Sequence, residues 1–218
     1  LTSIKTAASA ILFSGVTKPE QQHELLTVID QEASRLSLLV TEAIHLARIE
    51  AGKIYLNKEP YSVRALIETT LRHMETALEG RTVELTVTDD LPKAFIDVEL
   101  AQLVIRQLIG NAVKYSPPAS PIRIAAGVAG GAVVVRVRNE GQGISEAEKA
   151  KIFEKFYRGT DACQRGTGTG IGLAIAREVM LAHSGDLQVE SSPGQGTEFA
   201  ASFPAAGKVI KTWTTPTY

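Results

Sequence analysis

The apolar positions of the first fifty residues follow a helical spacing that is interrupted once. The first run steps by three and four residues, through Leu1, Ile4, Ala8 and Ile11. Residues 14–19 break this run, and Pro19 suits the first turn of a following helix, where a missing N–H costs nothing. The second run keeps a heptad spacing, through Leu26, Ile29, Ala33, Leu36, Val40, Ala43 and Ala47. The pattern predicts a helical hairpin over residues 1–55.

The apolar stripe of the second predicted helix is wider than the seam of a two-stranded coiled coil. The residues that widen it are Leu25, Leu39, Ile44 and Leu46. A hairpin of two helices cannot bury this much apolar surface by itself, whereas two copies can bury it in a four-helix bundle. We therefore expect a homodimer that forms through the helical hairpin.

Beyond residue 55 the periodicity changes between that of helices and that of strands. Helical spacing marks residues 62–78, 98–115, 145–157 and 171–185, and alternation marks 81–92, 121–139 and 186–204. The last two strand segments each contain a glycine turn and are predicted to be hairpins. Because helices and strands mix without regular alternation, the fold class is α+β, with helices on one face of a sheet. We expect this α/β sandwich domain over residues 56–205 and a tail over 206–218.

Composition excludes several classes of function for this chain of 218 residues. The net charge of −1 gives no basic surface for nucleic acid. The single cysteine, Cys163, excludes an internal disulfide and suits a reducing compartment. The most apolar stretch, residues 124–135, is too short to cross a bilayer. We expect any membrane attachment to be made by segments outside this chain.

Four polar side chains fall on one face of the predicted helix 98–115, namely Gln107, Asn111, Lys114 and Tyr115. Such a face can form one wall of a nucleotide site, where Asn111 offers a neutral oxygen to Mg²⁺ and Lys114 a point charge to phosphate. Taken alone, however, the spacing favours an ordinary solvated helix face.

Glycine-rich segments carry the other candidate chemistry. Gly168, Gly170 and Gly172 lead into a predicted helix, where backbone N–H groups and the helix dipole favour an anion. A flexible loop explains this run equally well. Gly141 and Gly143 follow a predicted strand, so they form either a turn or a surface against which a base lies. A further pair, at positions 194 and 196, fits a hairpin turn.

The order of these segments resembles that of bacterial sensor histidine kinases. The stretches NAVKY, NEGQG, IFEKFYRG, GTGTGIGLAIA and GQGTEF follow one another as the N, G1, F, G2 and G3 boxes of that family. Residues 1–55 resemble its dimerisation and phosphotransfer hairpin, and residues 56–205 its Bergerat-type (GHKL) ATP-binding domain. The resemblance implies ATP and Mg²⁺ as ligands, a cytoplasmic location, and transfer of the γ-phosphoryl group to a histidine and then to the receiver domain of a response regulator.

The resemblance also implies a role for each matching residue. Gln107, Asn111 and Arg158 are implied in catalysis, with Asn111 as the Mg²⁺ ligand. Phe153 and Phe156 match aromatic residues that pack the ATP lid, residues 159–166. Further positions implied in nucleotide binding are Lys114, Tyr115, Asn139, Gly141, Gly143, Ile144, Phe153, Tyr157, Arg158, Arg165, Gly168, Thr169, Gly170, Ile171, Gly172, Leu173 and Thr197.

Two matching positions depart from the family or from its relatives. Asn139 stands where the family usually has an aspartate that bonds the adenine amino group, so we expect weaker ATP binding than a carboxylate would give. Gln107 stands where ATP-hydrolysing relatives of the fold resemble one another in having a glutamate. A glutamine cannot accept a proton from water, which favours transfer to a side chain over hydrolysis.

The acceptor histidine is expected to lie outside the sequence given. In the family it opens a His-Glu-x-x-Thr-Pro-Leu segment, and Leu1 resembles the last residue of that segment. None of the histidines of this chain replaces it, namely His23, His45, His73 and His183. We therefore expect the chain to bind ATP without phosphorylating itself. The alternatives are a degenerate kinase that acts as a nucleotide-binding or signalling module, and a GHKL-type ATPase.

Overall fold

The computed structural model describes residues 2–13, 18–50, 55–159 and 169–207. The chain divides into two compact units, residues 1–52 and residues 53–218. The first unit consists of helix α1, Thr2–Phe13, and helix α2, Pro19–Glu50, which pack against each other. Pro19 is the first residue of α2, where proline is tolerated because its position needs no donor. The predicted helical hairpin is present.

The second unit contains seven strands and four helices in the residues that the structure describes. Its strands are β1 (Glu59–Tyr61), β2 (Val83–Val87), β3 (Ala94–Ile96), β4 (Ile122–Ala129), β5 (Ala132–Asn139), β6 (Asp186–Ser191) and β7 (Thr197–Pro204). Its helices are α3 (Val63–His73), α4 (Val98–Tyr115), α5 (Glu146–Lys149) and α6 (Gly172–Ala182), with one 3₁₀ turn at Thr76–Leu78.

Five of these strands form one sheet in the order β2-β4-β5-β7-β6. The β4–β5 and β6–β7 hairpins agree with the sequence pattern, and β5 pairs with β7 in antiparallel register. The β2–β4 pair is parallel, although the pattern predicted no strand–helix–strand crossover. The crossover passes through β3, which pairs with the short strand β1 and lies outside the five-stranded sheet, and then through α4. Three residues are too few to show a strand period, which explains why β3 was not predicted.

Helices α4 and α6 cover one face of this sheet, and α3 packs against α4. Alternate side chains of the central strands are buried on that face, for example Ile124, Val135 and Phe203. The opposite face carries charged residues, and Arg136 pairs there with Glu198 at 3.2 Å. This arrangement confirms the predicted α+β class with helices on one face, because burial follows the strand period of two.

The segment 145–157 differs from the helix that its pattern predicts. The helix α5 has only four residues and starts with a capping box between Ser145 and Glu148. Turns follow it, and Phe156 takes a left-handed conformation with φ +66°. The Phe156 N–H donates to the carbonyl oxygen of Gly170 at 2.9 Å, so a tertiary hydrogen bond replaces the helical one. None of the helices within the described ranges is long and apolar enough to span a bilayer.

Candidate functional site

Helix α4 carries the polar face that the sequence singled out. Asp97 caps its start, and the carboxylate accepts a hydrogen bond from the N–H of Leu100 at 3.1 Å. A buried stripe fixes the rotation of the helix, through Ala101, Val104, Ile105, Leu108, Ile109 and Ala112. The half-buried residues beside this stripe are Gln107, Asn111, Lys114 and Tyr115. The Nζ of Lys114 lies 4.6 Å from the ring centroid of Tyr115.

Arg81 holds the C-terminal end of α4. Its Nη2 donates to the carbonyl oxygen of Val113 at 2.7 Å, and its Nη1 donates to the Ser116 Oγ at 3.2 Å and to the Pro117 carbonyl oxygen. A guanidinium suits this position because the last carbonyls of a helix lack helical partners and carry partial negative charge. Sequence reasoning missed Arg81, since nothing local distinguishes it from any other basic residue that precedes a strand.

The segment after β5 crosses this same end of α4. A Cβ on Gly141 would overlap the carbonyl oxygen of Tyr115 and would lie 2.9 Å from the side-chain amide of Asn139. Only a glycine allows this approach of the two backbones. Asn139 is 4% exposed and is the last residue of β5. The first glycine-rich segment therefore lies directly against the helix that carries the polar face.

The β6–β7 turn supports the next residues of that segment. Gly143 has φ +78°, and a Cβ there would lie 2.7 Å from the carbonyl carbon of Ser192. The N–H of Gly194 donates to the carbonyl oxygen of Gln142 at 2.6 Å. The pair of glycines at 194 and 196 does form the predicted hairpin turn, and this turn also contacts the 141–144 segment.

Ser191 is the side chain that joins these two segments. Its Oγ accepts a hydrogen bond from the Ile144 N–H at 2.8 Å and donates to the carbonyl oxygen of Gly196 at 2.6 Å. It lies 2.9 Å from the Oγ1 of Thr197, which is buried. Sequence reasoning missed Ser191 because it stands in the strand before the turn rather than in the glycine motif.

The second glycine-rich segment contacts α4 nearer its middle, at Gln107. A Cβ on Gly172, the first residue of α6, would lie 2.8 Å from the Cδ of Gln107. Eight residues separate Gln107 from Tyr115, which is about 12 Å of helix at 1.5 Å per residue. Asn111 stands midway between the two contacts. The flank of α4 is therefore bordered by one glycine segment at each end.

The segment around Phe156 joins the same region through Gly170. Gly170 has φ +74°, and a Cβ there would lie 2.8 Å from the carbonyl oxygen of Tyr157. Phe153 receives the guanidinium of Arg177 at 5.0 Å from its ring centroid. Phe156 is 65% exposed, so the described residues do not enclose it. Its predicted packing against the lid stays a prediction, because residues 160–168 lie outside the described part of the chain.

The remaining predicted site residues fall in these same segments. Ile144 is half-buried after β5, Tyr157 and Arg158 are half-buried before residue 160, and Leu173 is half-buried in the first turn of α6. The Oγ1 of Thr169 accepts a hydrogen bond from the N–H of Ile171 at 3.2 Å. Arg165 and Gly168 lie outside the described residues. The structure thus brings together the predicted residues that it describes, although their chemical roles rest on the resemblance.

His183 has a structural environment rather than a reactive one. It is fully buried at the C-cap of α6, its Nδ1–H donates to the Val179 carbonyl oxygen at 2.8 Å, and its Nε2 accepts the Asp97 N–H at 2.9 Å. Burial lowers the pKa of His183, and the nearby Lys58 ammonium adds to this effect. The ring therefore ties the end of α6 to the start of α4, which agrees with the predicted packing and capping role.

Comparison with known families defines the class of protein. Residues 96–207 match the family described as histidine kinase-, DNA gyrase B- and HSP90-like ATPases, which is half of the chain. The chain belongs to this family, and its boxes and fold are those of the ATP-binding region of a sensor histidine kinase.

Among curated proteins, the sequence is similar to the sensor-like histidine kinase SenX3 of Mycobacterium tuberculosis, with 32% identity over 178 residues. It is also 32% identical over 206 residues to the sensor histidine kinase YkoH of Bacillus subtilis. These alignments cover 80% and 93% of this chain. The chain spans only 43% and 44% of the two relatives.

Among solved structures, full-length ShkA in complex with AMPPNP is 26% identical, with a TM-score of 0.74 over 95% of this chain and 44% of that one. The Acinetobacter baumannii histidine kinase AdeS has a TM-score of 0.73 at 24% identity, over 94% of this chain and 95% of that one. The AdeS likeness concerns the fold alone.

Proposed function

We propose that this chain binds ATP with Mg²⁺ along the flank of α4 and is the catalytic portion of a two-component sensor histidine kinase. The γ-phosphoryl group passes to a histidine and then to the receiver domain of a response regulator. The observation that carries this proposal is the pair of close approaches at the ends of that flank, Gly172 against Gln107 and Gly141 against the Tyr115 carbonyl. The AMPPNP complex of the similar protein ShkA adds support.

In this proposal the base lies at the Tyr115 end of the flank. Asn139 reads the exocyclic group of adenine, and the 141–144 segment supplies a flat backbone surface beside it. The tight contacts of Gly141 and Gly143 support this assignment, because close packing against the neighbouring backbone makes this surface rigid. Thr197 is linked to the 141–144 segment through its hydrogen bond with Ser191.

The phosphates lie toward the start of α6. The first N–H groups of a helix lack helical partners and favour an anion, and α6 begins at Gly172 with ten further residues behind it. Gly170 and Gly172 have no side chains, which lets the Tyr157 backbone and the Gln107 side chain lie close to the start of α6. Lys114 adds a positive charge, and we assign Arg158 and Arg165 to the phosphates as the resemblance implies.

Asn111 is the proposed protein ligand for Mg²⁺. The ion prefers a few oxygen ligands together with phosphate oxygens and water, and a neutral amide oxygen suits that set. The half-buried position of Asn111 between the two glycine contacts fits such a role. When bound, the ion neutralises phosphate charge; Asn111 orients it, and Lys114 contributes a separate charge.

Gln107 directs the reaction toward a protein acceptor rather than toward water. Its amide cannot take up a proton, so it cannot activate water as a carboxylate does. The contact with Gly172 fixes this side chain at the start of α6. Its role is to position the phosphate end, and the acceptor is an imidazole nitrogen supplied from outside this sequence.

The hairpin is the proposed dimer interface. In α2 the heptad positions Leu26, Leu36 and Val40 are exposed in a single chain, at 52% for Leu26 and Val40. A second copy would cover them in a four-helix bundle. We further propose that this portion works in the cytoplasm and reaches a membrane only through segments outside the chain.

Calorimetric titration with ATP, with and without Mg²⁺, tests the site. We expect binding that requires Mg²⁺, and no binding of any adenine nucleotide would refute the proposal. Incubation with ATP labelled at the γ-position then separates the functions. We expect neither acid-labile label on this chain nor steady release of phosphate. Acid-labile label would show an acceptor within the chain, and steady phosphate release would instead support the ATPase alternative.

A further inference from the structure

The side chain of Asn139 is held between two backbone groups of its own protein. The amide orientation that satisfies both places Nδ2 3.3 Å from the carbonyl oxygen of Thr197 and Oδ1 3.3 Å from the N of Gly141. The partners are fixed, since Asn139 and Thr197 are paired in the β5–β7 register and Gly141 lies against the end of α4. The amide therefore has one defined orientation.

The two protein contacts use half of the hydrogen-bonding capacity of this amide. The amide nitrogen has two hydrogens and the oxygen has two lone pairs. Thr197 takes one hydrogen and Gly141 fills one lone pair, which leaves one donor and one acceptor for a ligand. A carboxylate at the same place would offer lone pairs only, and would set one oxygen against the carbonyl oxygen of Thr197.

We propose that Asn139 makes the site accept purine nucleotides with either an amino or an oxo group at C6. This inference rests on the proposed nucleotide function of the site. A 6-amino group is a donor and meets the Oδ1 lone pair, whereas a 6-oxo group is an acceptor and meets the Nδ2 hydrogen. A carboxylate binds the first and repels the second, so the amide removes the discrimination that a carboxylate would impose.

Three triphosphates that differ at C6 test this inference on the 218-residue chain. They are ATP with an amino group, inosine triphosphate with an oxo group, and purine riboside triphosphate with hydrogen. We expect the dissociation constants of the first two to agree within about tenfold, and the third to bind more weakly than both. The order shows that a group at C6 is read, and the near equality shows that either polarity is accepted.

The Asn139→Asp variant provides the contrast. We expect tighter ATP binding, and inosine triphosphate weakened relative to ATP by about tenfold or more. The Gln195→Glu variant adds the same charge to an exposed residue of the β6–β7 turn and should leave the ratio unchanged.

The wild-type measurements decide the inference even if Asn139→Asp does not fold. ATP binding with inosine triphosphate rejected about a hundredfold would overturn the specificity inference and leave the proposed function standing. Failure of all three nucleotides to bind would overturn both. An unchanged ratio in folded Asn139→Asp would show that residue 139 does not read C6.

Discussion

The two units of this protein differ in how much of their apolar sequence a single chain buries. In the hairpin, Ala7 is the one buried side chain among the residues whose burial is described, and Leu36 and Val40 remain exposed. In the described part of residues 53–218, alternate strand residues are buried, and so are the apolar stripes of α3, α4 and α6. The same kind of periodic pattern thus has two outcomes, depending on whether a covering layer exists within the chain.

This contrast shows that an apolar pattern specifies which surface is to be buried but not what covers that surface. An apolar stripe states only that a surface is to be buried, since the hydrophobic effect has no direction. In the second unit the stripe of α4 meets a sheet that the chain itself supplies. In the first unit the stripe of α2 is exposed in the single chain, and a second copy is its proposed cover. Variants in one unit should therefore leave the other largely unaffected, which can be measured.

The largest effect is expected for Leu36→Glu in the hairpin. Each buried leucine contributes about 2 kcal/mol, and a symmetric dimer loses the contribution twice, so dimerisation should weaken by about 4 kcal/mol or roughly a thousandfold. Sedimentation equilibrium measures this loss. ATP affinity should not change. As a control, Glu24→Gln alters an exposed polar residue of α2 and should leave the dimer intact. An unchanged dimer in Leu36→Glu would show that the stripe is not the interface.

A smaller effect is expected for Gly141→Ala in the second unit. The added Cβ overlaps the Tyr115 carbonyl oxygen, and backbone shifts to relieve such overpacking cost about 1–3 kcal/mol. If the ATP site bears this cost of about 1–3 kcal/mol, ATP binding should weaken by about tenfold or more, while the dimer persists. Gly127→Ala is the matched control, since its Cβ would meet only the Thr88 side chain, at 3.3 Å. Equal ATP affinities of the two variants would argue against the close approach at Gly141.

Arg81→Met should have a more moderate effect on the same unit. It removes the donors to the Val113 carbonyl and the Ser116 hydroxyl, so the end of α4 loses about 1–2 kcal/mol. We expect ATP affinity to fall severalfold, because Lys114 and Tyr115 lie in that last turn. Arg72→Met changes an exposed arginine that bonds Thr69, and it should alter neither property. A fall in thermal stability without a change in ATP affinity would limit Arg81 to a structural role.

The smallest expected effect is a pH dependence through His183. Burial depresses its pKa below the usual value of about 6.5, so the unfolded chain binds the proton more readily than the folded one. The contribution of the neutral ring is present above pH 6.5 and is lost as the pH falls below it. The melting temperature of the second unit should therefore be lower at pH 5 than at pH 7.5, as differential scanning calorimetry can measure.

The His183→Gln variant isolates this contribution. A glutamine can accept the Asp97 N–H and donate to Val179, but it does not titrate. The charged groups facing the ring are Lys58 and Asp97, and both stay in place. The acid-side decrease should shrink in this variant, and an undiminished decrease would assign the pH dependence to other groups.

Sequence reasoning recovered most of the elements and the order of the boxes, but failed where a distant contact overrides the local pattern. Residues 145–157 have a helical spacing, yet the helix ends after residue 149, and the Phe156 N–H donates to the distant Gly170 carbonyl rather than to a helical one. The parallel pairing of β2 with β4 also lies beyond a periodicity argument, because the pattern of β2 is the same in either direction. The roles of Arg81 and Ser191 were not predicted for a related reason, since each forms hydrogen bonds with a segment far away in sequence.

The sequence by itself determined the helical hairpin, the α+β class and the identity of the boxes, because periodicity, glycine placement and motif order are properties of the linear chain. Only the tertiary structure decided which glycines touch which parts of α4. It also decided that Ser191 joins the 141–144 segment to the β6–β7 turn, and that the Asn139 amide lies between Thr197 and Gly141. The physical reason is that hydrogen bonds and steric contacts form only when residues remote along the chain are placed to within a few tenths of an ångström of the right distance.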